Sequence, residues 1–187
     1  SLAYHKLKEL NIPLDSRILI IGSGATNSTM CKFLKKHGFS NFAVFNRTLS
    51  NAVNLGEALN AKCYSLPDLP NYKNGFDVLL SWTGADHNVV SLDLYEKILQ
   101  GDTGLKTLID IAIPQDISPE IIRKHNVNYL SIDLLQKISN DNLKVRGKEV
   151  ASVKAIVNEA LHEFILLVEE RNVELVMQDV PRQIKAI

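Results

Sequence analysis

The sequence predicts an α/β fold in which a doubly wound parallel sheet is followed by a long C-terminal helix. Short apolar runs, such as Ile18-Leu19-Ile20-Ile21, alternate with helical patterns over the first 131 residues, which is the rhythm of βαβ units. These runs contain few polar residues, as expected for strands that are covered by helices on both faces. After about residue 142 the rhythm stops, and apolar residues recur at spacings of three and four, which is typical of a helix.

The predicted strands and helices succeed each other through the middle of the chain. Strands are predicted at about residues 17–21, 41–45, 61–64, 78–81, 107–111 and 127–131, and helices at about 26–37, 49–59, 92–99 and 119–124. Gly38 suits the left-handed cap of the first of these helices. Ser118, Pro119 and Glu120 give the last one an N-cap, a first-turn proline and an early acid. Six strands joined by crossover helices predict a sheet of the Rossmann type.

Both ends of the chain differ from this middle part. Residues 2–10 form an apolar-periodic pattern that stops near Pro13, which predicts that residues 1–14 are the end of an upstream helix. We assign residues 15–140 to the Rossmann domain and residues 141–187 to a helical connector. Gly147 indicates a bend or a helix start, because glycine costs a helix about 1 kcal/mol relative to alanine. The apolar seam of the connector consists of Val150, Val153, Val157, Ala160, Phe164 and Leu167. Such a seam packs either on a partner helix or on the protein's own sheet.

Length and composition restrict the classes of function. The 187 residues suffice for one domain of about 150 residues plus a tail. Lysine plus arginine equals aspartate plus glutamate, at 21 each, so no global field draws the chain toward nucleic acid or an anionic membrane. No signal sequence and no apolar run near the roughly 18 residues of a membrane span occur, so we expect a soluble, cytoplasmic protein. Cys31, Cys63 and the scattered histidines lack the spacing of a metal site.

A glycine turn lies between the first predicted strand and the first predicted helix. Gly22 permits the tight turn, and Gly24 lets a ligand approach the backbone without a Cβ in the way. The following helix offers unpaired N–H groups and its positive dipole end, so the turn is suited to a dinucleotide pyrophosphate. Asn27 takes the third glycine position, where we expect the helix to sit slightly farther from the strand. The predicted contacts are Gly22, Ser23, Gly24, Ala25, Thr26 and Asn27; an ordinary turn between strand and helix is the alternative.

The second predicted strand ends on a basic segment rather than on an acid. NAD-selective sheets place an acid about 20 residues past the glycines, where it binds the ribose 2′-hydroxyl. Here that position offers Asn46, Arg47 and Thr48. A guanidinium can bind a 2′-phosphate through two hydrogen bonds, with amide and hydroxyl groups as further donors. The segment therefore predicts NADPH as the cofactor; otherwise Arg47 is a solvated surface residue.

Two further strand ends carry candidate site residues. Ser81, Thr83 and Gly84 follow the fourth strand, and their small side chains let a ring approach the backbone. Because the carboxyl ends of the strands line the binding crevice, we expect this loop to border the ribose and nicotinamide. Asp110 and Pro114 follow the fifth strand, where Asp110 either faces the ligand or caps local amides. His87 is either a proton donor or a surface imidazole.

Four ordered stretches resemble the NADPH-binding domain of glutamyl-tRNA reductase, and the likeness covers roughly residues 1–170. They are Ile20-Ile21-Gly22-Ser23-Gly24, Asn46-Arg47-Thr48, Ser81-Trp82-Thr83-Gly84-Ala85 and Asp110-Ile111-Ala112-Ile113-Pro114-Gln115-Asp116-Ile117. The last stretch, similar to "DIAVPRDI" in the family, is the most specific. Asn27 in the glycine turn, Trp82 in the small-residue loop and Gln115 in place of an arginine depart from the family pattern.

The resemblance implies an oxidoreductase of tetrapyrrole (porphyrin and heme) biosynthesis that reduces glutamyl-tRNA to glutamate-1-semialdehyde. In this family a cysteine thiolate of the N-terminal domain attacks the glutamyl ester, and hydride from NADPH reduces the resulting thioester. Neither Cys31 nor Cys63 occupies the place of that nucleophile. We therefore expect the 187 residues to hold the reductant, to contain no catalytic residue and to turn over nothing alone. Residues 1–14 then link to the catalytic domain, and residues 141–187 lead toward a dimerisation domain.

The resemblance also implies partners. Glutamyl-tRNA is expected to bind through the catalytic domain, a second copy of the chain through the C-terminal helices, and glutamate-1-semialdehyde aminomutase as a further protein. Two rival interpretations stay open. A shikimate-type dehydrogenase also carries an Asn-Arg-Thr phosphate clamp but needs a substrate domain before the glycine turn. A module that senses NADP(H) or dimerises, without chemistry of its own, is the other.

Overall fold

The computed structural model describes the backbone of residues 2–184, and side chains for residues 2, 4–140 and most of 153–177. This part of the chain contains six strands that alternate with helices, of which six are α-helices and one is a 3₁₀ helix. In order they are α1 (Leu2–Glu9), β1 (Ile18–Ile21), α2 (Ala25–Lys36), β2 (Phe42–Asn46), α3 (Leu49–Leu59), β3 (Lys62–Ser65), the 3₁₀ helix Leu66–Asn71, β4 (Val78–Ser81), α4 (Leu92–Leu99), β5 (Lys106–Asp110), α5 (Pro119–Lys124), β6 (Val127–Ser131) and α6 (Ile132–Ile184).

The six strands form one parallel sheet in the order β3-β2-β1-β4-β5-β6. Ile18 of β1 is paired with Phe42 of β2 on one side and with Val78 of β4 on the other. The strand order reverses at β1, so the predicted doubly wound fold is confirmed. The predicted strand bounds agree with the structure within one residue.

The core consists of two layers, one on each face of the sheet. Ile18 and Ile20 belong to one buried cluster, together with residues of α1, α2 and α3, whereas Leu19 and Ile21 belong to the other, with residues of the 3₁₀ helix, α4 and α5. Successive residues of β1 thus point to opposite faces, and both faces are covered. This double coverage explains why the strand sequences are apolar throughout.

The chain divides into two compact units, residues 1–137 and residues 138–187. Helix α6 begins at Ile132, directly after β6. The helix therefore begins about ten residues before the position near 142 at which the strand rhythm stops, and Gly147, where a bend or a helix start was expected, lies inside it and is not its start. The Ser131 hydroxyl accepts a hydrogen bond from the Leu134 amide at 3.2 Å. This N-cap begins the helix immediately at the strand end.

The second unit is an exposed helix with many apolar side chains. Val153, Val157, Phe164 and Leu167 of the predicted seam are each more than half exposed, and Ala160 is exposed as well. The Val150 side chain lies outside the described residues. Within the described part of the chain, no helix is both long enough and apolar enough to cross a membrane.

The amino-terminal end of the sheet carries a compact charge network. Arg17 donates to both Asp77 carboxylate oxygens, at 3.0 and 2.7 Å. Lys106, only 3% exposed, lies 2.7 Å from Asp102 and 3.6 Å from Asp77. Hydrogen bonding to Arg17 lowers the pKa of Asp77 to about 2. Two cations and two anions therefore neutralise each other at this end.

Candidate nucleotide-binding site

A cavity of about 860 Å³ lies at the carboxyl ends of β1, β2 and β4. It brings together residues from five separate segments: the glycine turn, the end of β2 with the start of α3, the 3₁₀ helix, the loop after β4, and α4. The predicted site residues that line it are Gly22, Ser23, Gly24, Ala25, Thr26, Asn46, Arg47, Thr48, Thr83 and Gly84. Segments far apart in sequence thus meet where the sheet topology places a ligand crevice.

The two glycines of the turn have different structural requirements. Gly22 is buried and has φ +93°, and a Cβ on it would lie 2.3 Å from the backbone oxygen of Trp82. Gly24 is exposed and is the N-cap of α2, with φ −61° and ψ 163°, and a Cβ built on it would have no atom of the described residues within 4 Å apart from its two chain neighbours. Gly22 is therefore required by the fold itself. The space in front of Gly24 is open to a ligand.

Helix α2 presents its N-terminus to the cavity without a side-chain cap. Ala25 and Thr26, in its first turn, line the cavity. The first N–H groups of a helix have no acceptor within the helix and carry the positive end of its dipole. An anionic group in the cavity would supply the acceptor that the protein does not.

Asn27 has a role that the sequence did not predict. Its side chain is 1% exposed and does not line the cavity, and its cofactor contact stays a prediction. Instead its Nδ2 donates to the Gly22 carbonyl at 2.6 Å and lies 3.3 Å from the Ile21 carbonyl. The side chain therefore fastens the first turn of α2 to the end of β1.

Arg47 lies on the exposed rim of the cavity, directly after β2. No ion pair or hydrogen bond joins its side chain to another residue in the part of the chain that the structure describes. The neighbouring segment is ordered locally: Asn46 donates to the Thr48 carbonyl at 2.9 Å, and Thr48 is the N-cap of α3. A guanidinium thus stands at the cavity without a protein counter-ion.

The buried side chain of Asp116 holds the loop after β4 in place by hydrogen bonds. Asp116 is fully buried and accepts hydrogen bonds from the Ser81 hydroxyl at 2.8 Å, the Thr83 amide at 2.7 Å and the Thr83 hydroxyl at 2.6 Å. Thr83 and Gly84 line the cavity, whereas Ser81 is buried beneath the loop and does not. The cofactor contact of Ser81 stays a prediction, and its hydroxyl is directed to Asp116.

Asp110 and Pro114, for which cofactor contacts are predicted, also lie outside the cavity lining, and Asp110 was expected either to face the ligand or to cap local amides. Asp110 is fully buried and accepts from the amides of Ala112 at 3.1 Å and Ile117 at 2.8 Å, and from the Tyr129 hydroxyl at 3.4 Å. Burial raises the pKa of this carboxyl, and the backbone donors oppose the shift. The geometry is that of a local cap for the loop after β5, while Pro114 is exposed on that loop after a cis peptide bond.

Several cavity residues were not predicted. They are Asn51, Leu66, Pro67, Pro70, Ala85, Val89 and Leu94, with Trp82 and His87, to which no contact had been assigned. The residues after β3 could have been found by the rule that strand ends line the crevice. The His87 imidazole is 75% exposed and pairs with Asp86 at 2.9 Å, so it lies at the cavity mouth.

The two cysteines are free and do not line the cavity. Burial raises the pKa of the Cys31 thiol to about 12, and desolvation is the main cause that raises the pKa of Cys63. A thiolate is the nucleophilic form of cysteine, and neither position favours it. Among the described residues, no group of three or more histidine, cysteine and acidic side chains is placed to hold a metal ion.

The sheet order, the glycine turn, the uncapped helix and the basic strand end together define a dinucleotide-binding domain of the Rossmann type. The family model described as shikimate / quinate 5-dehydrogenase matches residues 1–138. The chain belongs to this family.

Curated and solved relatives are similar to most of the chain. Glutamyl-tRNA reductase of Oceanobacillus iheyensis is 34% identical over 151 residues, which are 80% of this chain and 33% of that protein. The structure of glutamyl-tRNA reductase from Methanopyrus kandleri matches with a TM-score of 0.72 and 29% identity, over 84% of this chain and 40% of that one. The nucleotide-binding domain of the Thermoplasma volcanium enzyme matches in fold, with a TM-score of 0.59 and 18% identity over 78% of this chain and 94% of that one.

These similarities confirm the resemblance to glutamyl-tRNA reductases. The chain spans 33–40% of the length of the first eight curated relatives, all of which bear that name. A structure of a shikimate 5-dehydrogenase-like protein matches at 12% identity with a TM-score of 0.54, which supports the fold alone.

Proposed function

We propose that these residues form the NADPH-binding domain of a glutamyl-tRNA reductase. The domain holds the hydride donor for reduction of glutamyl-tRNA to glutamate-1-semialdehyde, a step of tetrapyrrole biosynthesis. The observation that carries the proposal is Arg47, a cation without a protein counter-ion in the described chain, on the cavity that also contains the glycine turn. The similarity to curated glutamyl-tRNA reductases supports the substrate.

The cavity favours NADPH over NADH because of the charge at the end of β2. The extra phosphate of NADPH carries about two negative charges, and a guanidinium binds such a group by two parallel charge-assisted hydrogen bonds. The glycine turn and the N-terminus of α2 are suited to the pyrophosphate. No acid occupies the position at which an NAD-selective sheet binds the 2′-hydroxyl.

Calorimetric titration of the 187-residue chain with NADPH and NADH tests the cofactor. We expect Arg47→Ala to weaken NADPH binding by about 1.5 to 3 kcal/mol, which is roughly 10- to 150-fold, and to leave NADH binding almost unchanged. Lys36→Ala is the matched control, because Lys36 is an exposed cation on α2 that does not line the cavity. Equal affinity of the wild-type chain for both cofactors, or an equal loss for both in Arg47→Ala, contradicts the proposal.

The single tryptophan provides a second readout. Trp82 lines the cavity and is the only tryptophan of the chain. We expect NADPH to quench its fluorescence with the same midpoint as the calorimetric titration. Quenching that does not saturate would place NADPH elsewhere on the protein.

The thiol chemistry belongs to another part of the enzyme in this proposal. A cysteine thiolate there would take the glutamyl group from tRNA as a thioester, and NADPH held at the cavity would supply the hydride for its reduction. The raised pKa values of Cys31 and Cys63 do not suit them for the first step. We therefore expect the 187 residues alone to bind NADPH and to release no aldehyde from glutamyl-tRNA. Aldehyde formation by this chain would refute the assignment.

We further propose that the enzyme is a cytoplasmic homodimer that associates through α6 and passes its reactive aldehyde to glutamate-1-semialdehyde aminomutase. The exposed apolar residues of α6, among them Ile156, Leu161 and Phe164, support association. Sedimentation of wild type and of a Leu161→Asp, Phe164→Asp variant tests this, with a shift toward monomer expected for the variant. A concentration-independent monomer in the wild type contradicts dimerisation through these residues.

Oxidation of shikimate or quinate is the second candidate, because the matching family model bears that description. It requires the same cofactor cavity but a different substrate domain. Assays of the full-length reading frame with glutamyl-tRNA and NADPH, and with shikimate and NADP⁺, discriminate the two. Binding of NADP(H) without either activity would favour the sensing module.

A further inference from the structure

We propose that Asp116 is a positioning residue, which holds residues 82–85 in the shape that receives the nicotinamide half of the cofactor. This inference rests on the proposed NADPH function of the cavity. Asp116 does not line the cavity and is fully buried, so it acts through the loop. Three hydrogen bonds from Ser81 and Thr83, all between 2.6 and 2.8 Å, connect the carboxylate to that loop.

The topology assigns the loop to one half of a dinucleotide. β2 and β4 lie on opposite sides of β1, so Arg47 and Thr83 flank the glycine turn on its two sides. A cofactor whose pyrophosphate lies at the turn and whose 2′-phosphate contacts Arg47 must extend its other half toward Thr83 and Gly84. Asp116 therefore acts on the reactive half of the ligand, and the adenosine half lies beyond its influence.

The hydrogen bonds of the loop leave one backbone donor for a ligand. The Trp82 amide donates to the Ile21 carbonyl at 3.1 Å, the Thr83 amide to Asp116 at 2.7 Å, and the Ala85 amide to the Thr83 hydroxyl at 3.2 Å. In the described part of the chain the Gly84 amide has no acceptor, and apart from its two chain neighbours no atom lies within 4 Å of a Cβ built on Gly84. The loop thus presents a free N–H and open space at the same residue.

A carboxylate is suited to this task because it has two oxygens and accepts from several donors at once. One Asp116 oxygen takes the Ser81 hydroxyl and the Thr83 amide, and the other takes the Thr83 hydroxyl. No cation pairs with Asp116 among the described residues, so these three hydrogen bonds hold its side chain in place. Its own backbone is also fixed, since the Asp116 carbonyl accepts from the Val90 amide at 2.9 Å.

The experiment compares two ligands on the 187-residue chain: NADPH and adenosine 2′,5′-bisphosphate, which contains only the adenosine half. We expect Asp116→Ala to weaken NADPH binding roughly tenfold or more, because bonds to a buried charged group are lost. Binding of the bisphosphate should stay within about twofold of the wild type, which is the scatter expected when no contact is lost. Asp15→Ala is the control, because Asp15 is an exposed acid before β1, remote from the cavity.

Asp116→Asn provides a second variant of the same size, for the case that the alanine variant does not fold. We expect it to weaken NADPH binding and not bisphosphate binding. Hydrogen exchange of residues 82–85 should become faster in this variant, while exchange at the glycine turn stays unchanged. A purely structural role would accelerate both segments together.

The outcomes separate this inference from the proposed function. Failure of NADPH to bind the wild-type chain overturns the proposed function itself. Normal NADPH binding by the wild type, with an equal loss of both ligands or of neither in the Asp116 variants, overturns only the role of Asp116.

Discussion

The two ends of the sheet each carry an arginine, and the two arginines have opposite surroundings. Arg17, at the amino-terminal end, donates to both oxygens of Asp77 and lies 3.5 Å from Asp102. Arg47, at the carboxyl-terminal end, lines the cavity and has no acid partner in the described part of the chain. The residue type is the same, but one charge is neutralised by the protein and the other is not.

This difference teaches how to separate a structural charge from a binding charge. A network in which cations and anions balance contributes to the free energy of unfolding and has little left to offer a ligand. A cation at a cavity mouth without a counter-ion gives little stability but gains a partner when an anion binds. The four predictions that follow test this division, from the largest expected effect to the smallest.

The first prediction concerns the two glycines of the turn, of which Gly22 is required by the fold and Gly24 is open to a ligand. Gly22→Ala is expected to lower the free energy of unfolding by about 3 kcal/mol or more, because φ is +93° and the added Cβ would lie 2.3 Å from a backbone oxygen. Gly24→Ala is the matched control and should cost about 1 kcal/mol or less. Urea unfolding measures both variants. Similar losses of unfolding free energy in the two variants would show that the fold does not require glycine at position 22 more than at position 24.

The second prediction compares the effects of removing each arginine on the free energy of unfolding and on NADPH affinity. Arg17→Ala should lower the free energy of unfolding by about 1 to 2 kcal/mol, a modest loss because the Arg17 side chain is 38% exposed and its ion pairs are only partly buried. NADPH affinity should stay unchanged, because Arg17 does not line the cavity. Arg47→Ala should lower NADPH affinity and leave unfolding unchanged. Unfolding and calorimetric titrations on both variants give a two-by-two result. Loss of stability and affinity together in either variant breaks the division.

The third prediction gives one substitution effects of opposite sign. Serine is at least as good an N-cap as glycine. Gly24→Ser should therefore leave the free energy of unfolding unchanged or raise it by a few tenths of a kcal/mol. Its side chain projects into the space that is open in front of Gly24, so NADPH affinity should fall roughly tenfold, equal to about 1.4 kcal/mol. Unchanged affinity would mean that the pyrophosphate does not approach this residue.

The fourth prediction concerns pH at the amino-terminal end. The pKa of Asp77 is lowered from 3.8 to about 2, chiefly by hydrogen bonding to Arg17. A depressed folded-state pKa stabilises the protein above pH 3.8, and this contribution is lost as the pH falls toward 2. After allowance for solvent screening, we expect about 1 kcal/mol. The difference in unfolding free energy between wild type and Asp77→Asn should shrink over this range, and urea unfolding at a series of pH values measures it.

Much of the fold could be predicted because its signals are local. Buried parallel strands require continuous apolar runs, and Ile18-Leu19-Ile20-Ile21 permits few other structures. The start of α6 was missed because Ser131 ends a strand and caps a helix at the same time. Propensity at Gly147 could not reveal this, since a penalty of about 1 kcal/mol is easily tolerated inside a long helix.

The candidate site could be predicted only where a local pattern and the topology coincide. Gly24 and Arg47 follow directly from strand ends, so their common cavity was foreseeable. Asp110 and Asp116 could not be distinguished by such reasoning, because the path of the loop between them decides which donors each carboxylate meets. Asn27 illustrates the same limit, since its bonds to the turn depend on the exact approach of α2.

The 3₁₀ helix that closes one side of the cavity contributes two prolines to its wall, Pro67 and Pro70. A pyrrolidine ring fixes φ, so this wall has few alternative backbone states to give up when a molecule docks. A flat heterocyclic base therefore meets a surface that already has its bound shape. The entropic penalty of association then falls mainly on the incoming molecule and on the exposed Arg47 side chain, which gives up rotamer freedom when it binds an anion.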